Sequence, residues 1–251
     1  MDILYLNSGN VNLLENFRVP ASIIVNSSHC FSNSITAKTG DCDSADLLNV
    51  LAARKPGSSE FSIKLRDKEI MAEIIHHDDM TYIAASIKYN DMPGYIILSG
   101  SGNCAVRLPD FISRINNSRG IKKILLVDDD PAIIETYRSI LNLLGYETDQ
   151  HTCPQTALAC IKNQGYDLLI SDYDMPAMNG LELTGNFYRS CPGTPVIIIS
   201  GSPRFPAGIF RSELRDCMVS FMSKPVTIND LTRSLEVMEF FYKLQSTGCR
   251  D

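Results

Sequence analysis

From Ile121 onward, short apolar runs alternate with segments whose apolar residues recur at helical spacing. Ile124–Val127 is a continuous run of branched aliphatics, the pattern of a strand buried on both faces of a parallel sheet. Pro131 suits the first turn of a helix. Ile133, Ile134, Tyr137, Ile140, Leu141 and Leu144 give that helix an apolar stripe, and Gly145 ends it. The rhythm then repeats, with a strand at Tyr146–Asp149, a helix at Pro154–Lys162, and a strand over Asp167–Ser171 ending at Asp172. A helix follows at Gly180–Arg189, then a strand in "TPVIIIS" (194–200). The stretch 202–216 reads as a loop and helix with its entry blurred by Pro203 and Pro206. "MVSFMSKP" (218–225) is a fifth strand and its exit, and Thr227–Leu244 a last helix with Leu231, Leu235, Met238 and Phe240 or Tyr242 for packing. Strands alternating with helices in this way predict a small α/β domain with a five-stranded, doubly wound parallel sheet.

The first half has a different pattern. "ASIIVNSS" (21–28), "FSIKLRD" (61–67), "EIMAEIIHH" (69–77), "MTYIAASIKYN" (80–90) and "GYIILSG" (94–100) read as strands separated by turns. "DSADLLNVLAARK" (43–55) reads as a helix capped by Asp43 or Ser44. This predicts an α+β domain with a mainly antiparallel sheet. The polar "NNSRG" that closes 107–120 marks the boundary, giving domains at 1–117 and 118–251.

Composition narrows the class. Apolar residues make up 44% of the chain and charged residues 21%, as in soluble globular proteins. The net charge of −6 gives no case for a nucleic acid or an anionic membrane surface as partner. No secretory leader pattern opens the sequence, and no apolar run has membrane-spanning length. The eight cysteines form no CxxC pair. A cytoplasmic protein with reduced thiols is expected.

In an open parallel sheet, functional residues gather at the carboxyl ends of the strands. There the first strand ends in Asp128 and Asp129, the third in Asp172 and the fourth in Ser200, while the fifth exits to Lys224-Pro225. Each residue alone is unremarkable, since Asp is common at strand ends. Together they suit a phosphoryl group. Clustered carboxylates want a hard divalent cation such as Mg²⁺, an aspartate such as Asp172 can attack phosphorus to form an acyl phosphate, and Lys224 and the Ser200 hydroxyl suit phosphoryl oxygens.

The pieces "LLVDDD", "DLLISDYDMPAMNG", "PVIIIS" and "FMSKP", in that order, resemble the receiver domain of two-component response regulators and hybrid histidine kinases. The resemblance covers 121–244. It implies a flavodoxin-like fold, Asp172 as phosphoacceptor, and Asp128 and Asp129 holding Mg²⁺ with it, joined by the backbone carbonyl of Asp174. It implies Lys224 as the active-site lysine, with Ser200 and Phe221 as the switch pair. Asp130 is then left at the solvated start of the helix, where the helix dipole favours an acid. A histidine kinase or histidine phosphotransfer protein would donate the phosphoryl group, and a downstream protein partner or a homodimer would read the switch. Phe221 lacks the hydroxyl of the frequent Tyr, so its switching would rest on ring packing. "GSPRFPAGIF" (201–210) departs from the usual pattern and suggests a nonstandard partner face. The acid side chain of Asp174 at the pocket entrance would orient water or repel phosphate, and the sequence does not choose between them.

The first half resembles a PAS-type sensory domain in its opening "LLENFRVPASIIVNSS" and closing "MTYIAASIKYNDMPGYIILSG", with a GAF-like or unrelated α+β domain as the alternative. A PAS-type pocket would be lined by residues such as Ile24, Leu47, Leu51, Ile75 and Ile83, positions that equally suit a plain core. His76-His77-Asp78-Asp79 reads as a solvated hairpin corner, because adjacent strand side chains point to opposite faces. No kinase core, DNA-binding output segment or nucleophile–base–orienter set for a hydrolase is visible. Three roles remain: a phosphorylated signalling protein, a docking scaffold on a receiver fold, and a phosphate sink.

Overall fold

A computed structural model of the chain describes residues 4–6, 21–25, 29–32, 60–65, 68–77, 80–89, 92–101, 116–161, 165–201 and 217–246. It divides into two compact units, Met1–Arg119 with Lys243–Asp251, and Gly120–Tyr242. The segments 43–55 and 202–216, read above as containing helices, lie outside the described residues.

The first unit contains a seven-stranded sheet built from β1 (Leu4–Leu6), β2 (Ala21–Val25), β3 (His29–Ser32), β4 (Glu60–Leu65), β5 (Lys68–His77), β6 (Met80–Tyr89) and β7 (Met92–Ser101). The order is β3-β2-β7-β6-β5-β4, with antiparallel neighbours throughout. β1 joins in parallel beside Ile87–Tyr89, beyond the point where the β5 pairing stops at Ala85. The expected mainly antiparallel sheet is present. However, "ASIIVNSS" ends as a strand at Val25, and the chain turns back through β3 with Val25 opposite His29. Ala72, Ile75 and Ala84 are buried, as the core reading of Ile75 requires. Leu47 and Leu51 lie outside the described residues. His76 pairs with Thr81 and His77 with Met80, so the two histidines end β5 beside the start of β6, while Asp78 and Asp79 lie outside the described residues.

The second unit has the expected doubly wound form. Its strands are β8 (Lys123–Val127), β9 (Glu147–His151), β10 (Leu168–Asp172), β11 (Val196–Ser200) and β12 (Val219–Ser223), all parallel, in the order β12-β11-β10-β8-β9. The described helices are α1 (Pro131–Leu143), α2 (Pro154–Ile161), α3 (Gly180–Ser190) and α4 (Ile228–Ser246). β8, β10 and β11 are buried along almost their whole length, because helices on both faces leave no wet side. Leu125, Val127, Leu169, Val196 and Ile198 share one core cluster with Ala157 and Ile161 of α2 and Leu183 and Phe187 of α3. Ile124, Leu126, Ile170, Ile197 and Ile199 alternate with them and are equally buried. Full burial of each such side chain is worth about 1.5–3 kcal/mol, which fixes the register that levels the strand ends.

Local signals set the helix ends. Asp130 caps α1, its Oδ1 accepting from Ala132 N at 2.8 Å, and Pro131 occupies the first turn. Asn179 caps α3 in a capping box with Glu182. At the opposite rim, the buried Asp167 accepts from the backbone N of Lys122 and Lys123 at 3.0 and 2.9 Å, tying the start of β10 to the start of β8.

Candidate functional site

The order β12-β11-β10-β8-β9 places β8 beside β10 although β9 and α2 separate them in the chain. Val127 pairs with Ser171, so Asp128 and Asp172 emerge level with one another. Asp172 pairs with Ile199, and Ser200 with Ser223, so Lys224 leaves β12 one residue beyond the Ser200 level. A backbone bond from Lys224 N to the Ser200 carbonyl, 2.8 Å, continues that pairing. The Lys224–Pro225 peptide is cis.

The side chains converge as these registers require. Lys224 Nζ lies 3.0 Å from Asp128 Oδ2 and 2.5 Å from Asp172 Oδ1. The remaining oxygens are also partnered. Asp128 Oδ1 accepts from Asp130 N at 2.9 Å, and Asp172 Oδ2 from Asp174 N at 2.7 Å. Asp128 and Asp172 are buried, while Asp129 beside them is exposed. Ser200 is buried, and its hydroxyl donates to Asp174 Oδ2 at 3.3 Å. Asp174 thus joins the loop after the acceptor strand to the Ser200 hydroxyl, a contact the sequence did not disclose. Phe221 is half-buried and packs against the core cluster that contains Ile198 and Val219.

Charge bookkeeping is unbalanced here. Two buried carboxylates face the single ammonium of Lys224. Burial pushes the Asp128 carboxyl above its ordinary value, and the bonds from Asp130 N and Lys224 do not restore it. Burial also works against the Lys224 charge, but its bonds to Asp172 and Asp128 outweigh that and raise its pKa. Tyr137, which helical spacing assigned to core, is buried close enough to sense this cluster. Burial raises its phenol, Lys224 opposes the shift, and Asp128 and Asp172 add to it. An excess of negative charge on all-oxygen donors fits a hard divalent cation, and Asp128, Asp129 and Asp172 would be its side-chain ligands.

The loop from Asp172 to Gly180 is tightly constrained. Gly180 N donates to Tyr173 O at 2.9 Å, and a Cβ on Gly180 would lie 2.4 Å from the Asp172 carbonyl oxygen. Ala177 has φ 67°, the left-handed region. The "MNG" run therefore has a steric reason for its glycine and a capping reason for its asparagine.

A five-stranded parallel sheet of flavodoxin-like type, with acids, a lysine and a hydroxyl at one rim, defines the receiver class of fold. The family model described as "Response regulator receiver domain" matches residues 124–236. The second unit therefore carries a response regulator receiver domain of two-component systems. The transcriptional regulatory protein GlrR of Escherichia coli (strain K12) is 29% identical over 113 residues, covering 45% of this chain and 25% of GlrR. The sensor protein EvgS of the same organism is 41% identical over 73 residues, covering 29% of this chain and 6% of EvgS. A response regulator receiver domain protein (CheY-like) from Methanospirillum hungatei JF-1 is 32% identical, with a TM-score of 0.42, covering 45% of this chain and 90% of that one. The matched region thus spans a quarter or less of these curated relatives. Among the described residues, no helix is long and apolar enough to cross a membrane.

Proposed function

We propose that this chain is a signalling protein whose Asp172 accepts a phosphoryl group from the phosphohistidine of a histidine kinase or histidine phosphotransfer protein. The observation that supports this most strongly is the joint contact of Lys224 with Asp172 and Asp128 at the rim of the parallel sheet. In the step, a carboxylate oxygen of Asp172 attacks phosphorus. The phosphorus–nitrogen bond to the donor imidazole breaks, and the imidazole leaves with the bond electrons and takes up a proton. Asp128, Asp129 and Asp172, with the backbone carbonyl of Asp174, would hold Mg²⁺, which neutralises charge on the phosphoryl oxygens when bound. Lys224 leaves its ion pair with Asp172 to meet a phosphoryl oxygen.

The Ser200 hydroxyl then exchanges Asp174 for another phosphoryl oxygen, and Phe221 repacks behind it. The surface that these residues support becomes the surface read by a downstream protein. The first unit, with its antiparallel sheet, is read as the sensory or dimerising part, PAS-like in pattern.

The test is intact-protein mass after incubation with acetyl phosphate and Mg²⁺, beside Asp172→Asn and a chelator control. The reading expects a gain of about 80 Da in the parent chain alone. An equal gain in Asp172→Asn would contradict it, and no gain under conditions where Mg²⁺ is shown to bind would favour the docking-scaffold reading.

A further inference from the structure

A second cluster of ligand-type side chains lies away from the acidic rim pocket. Asp149 and His151 are two apart on β9 and share one face of the strand, and Cys160 reaches that face from α2. One carboxylate oxygen, one imidazole nitrogen and the thiol sulfur of these residues all lie within 4.8 Å of one another, and all three residues are half-buried. Cys160 is a free thiol.

Two of the three ligands have a partner that orients them. The Thr156 hydroxyl donates its proton to the Cys153 carbonyl at 2.8 Å, so toward His151 it can only accept. His151 Nδ1, 3.2 Å from Thr156 Oγ1, therefore carries the ring proton. That leaves Nε2 as the lone-pair nitrogen. Nε2 is fully buried and lacks a hydrogen-bond partner among the described residues. It lies 3.4 Å from Asp149 Oδ1. The other oxygen of Asp149, Oδ2, accepts from the Tyr166 hydroxyl at 2.5 Å. An imidazole nitrogen and a carboxylate oxygen 3.4 Å apart with no hydrogen bond between them leave room for a shared cation beside the Cys160 sulfur.

We propose that Asp149, His151 and Cys160 bind a borderline-soft divalent transition metal ion, Zn²⁺ above others, through Oδ1, Nε2 and Sγ. Imidazole with thiolate selects Zn²⁺ over Mg²⁺, which takes oxygen ligands. Zinc bonds of about 2.0–2.3 Å in a tetrahedron set ligand atoms about 3.3–3.8 Å apart, so rotation of these side chains closes the set. Three protein ligands leave the fourth position to water. On binding, the Cys160 thiol gives its proton to solvent and the thiolate sulfur bonds the ion. Tyr166 and Thr156 are the positioning residues, holding the carboxylate and the imidazole from behind. The site is one backbone hydrogen bond from the acidic pocket, since Asp128 N donates to His151 O at 3.3 Å. Metal binding here is nevertheless independent of any phosphorylation at Asp172.

The experiment uses the reduced, chelator-stripped full chain. Co²⁺ added as a probe is expected to give a thiolate-to-metal charge-transfer band that Zn²⁺ displaces. The band disappears in Cys160→Ser and persists in Cys153→Ser. Tyr166→Phe and Thr156→Val weaken Co²⁺ binding by about 10–100-fold while keeping the band shape. A readout on the parent chain covers variants that fail to fold. There, iodoacetamide labels Cys160 at least about tenfold more slowly with Zn²⁺ present, because the thiolate lone pair is engaged, whereas Mg²⁺ gives no protection. A band that survives Cys160→Ser, no band at all, or equal labelling of Cys160 with and without Zn²⁺ would overturn the proposal. The last two results would leave His151 and Asp149 as a direct side-chain contact with no ion between them.

Discussion

Replacing Gly180 with alanine is predicted to destabilise the second unit, whereas Gly185→Ala, further along the same helix, is predicted to stabilise it. An ideal Cβ on Gly180 would sit 2.4 Å from the Asp172 carbonyl oxygen, 3.1 Å from Tyr173 Cα and 3.2 Å from the Asp172 carbonyl carbon. Carbon–oxygen contacts settle near 3.3 Å or beyond, so α3 and the end of β10 must part by about 0.9 Å. The obstacle is backbone and cannot rotate away. Overpacking of this kind costs about 1–3 kcal/mol, and the better helix propensity of alanine returns at most about 1 kcal/mol. The net expectation is a loss of about 1–2 kcal/mol. Nothing lies within 4 Å of a Cβ on Gly185, so there the propensity and unfolded-state terms act alone and add about 0.5–1 kcal/mol. Urea unfolding followed by circular dichroism, with amide exchange on peptides from β8 and β10, reads the stability of this unit. The displaced Asp172 should also label more slowly with acetyl phosphate in Gly180→Ala and at the parent rate in Gly185→Ala. Equal stabilisation by both substitutions would refute the steric account of this loop.

The remaining predictions concern the pocket and its loop. The folded-state pKa of Asp128 is raised by burial, so the stability it contributes is present below the ordinary carboxylate value and lost as pH rises through the folded value. Asp128→Asn should therefore raise the melting temperature near neutral pH without metal and flatten that part of the pH profile. Saturating Mg²⁺ should stabilise the parent by about 2.7 kcal/mol at one hundred times Kd and leave Asp128→Asn almost unmoved, checked by thermal melts. Ala177 sits at φ 67°, so Ala177→Val should lose about 1–2 kcal/mol and Ala177→Gly should lose nothing or gain a few tenths, measured by urea midpoints. Asn179→Ala removes the acceptor for Leu181 N and Glu182 N and should cost about 1 kcal/mol, visible as faster amide exchange at the start of α3.

The rim pocket was legible in the sequence because its residues are fixed by strand ends. A buried parallel strand announces itself as an apolar run, and the residue after the run must stand at the rim. Asp128, Asp172, Ser200 and Lys224 follow from that rule alone. The polar edge strand did not announce itself in the same way. "ETDQH" has no apolar run, and the strand was expected at Tyr146–Asp149. Tyr146 N instead closes the end of α1 by donating to Leu141 O, so the ladder starts at Glu147 and runs on to His151. That shift also hid the Asp149–His151–Cys160 cluster, whose only sequence trace is an Asp-x-His on one strand face. The sequence sets the Asp174 side chain at the pocket entrance but not its contact with Ser200, which joins the loop after β10 to the end of β11. In the first half, the β2–β3 reversal went unseen because β3 is the four-residue "HCFS", too short to show an apolar or alternating run.

The central claim is that phosphoryl transfer ends on one carboxylate. The most direct measurement is to react the chain with acetyl phosphate and Mg²⁺, reduce the acyl phosphate with borohydride, and map the altered residue by peptide mass spectrometry. Reduction converts a phosphorylated aspartate to homoserine and leaves free carboxylates untouched. The account predicts homoserine at position 172 alone, with Asp128, Asp129 and Asp174 unaltered. Modification at any of those three in place of Asp172, or a stable phosphate on Ser200, would contradict it.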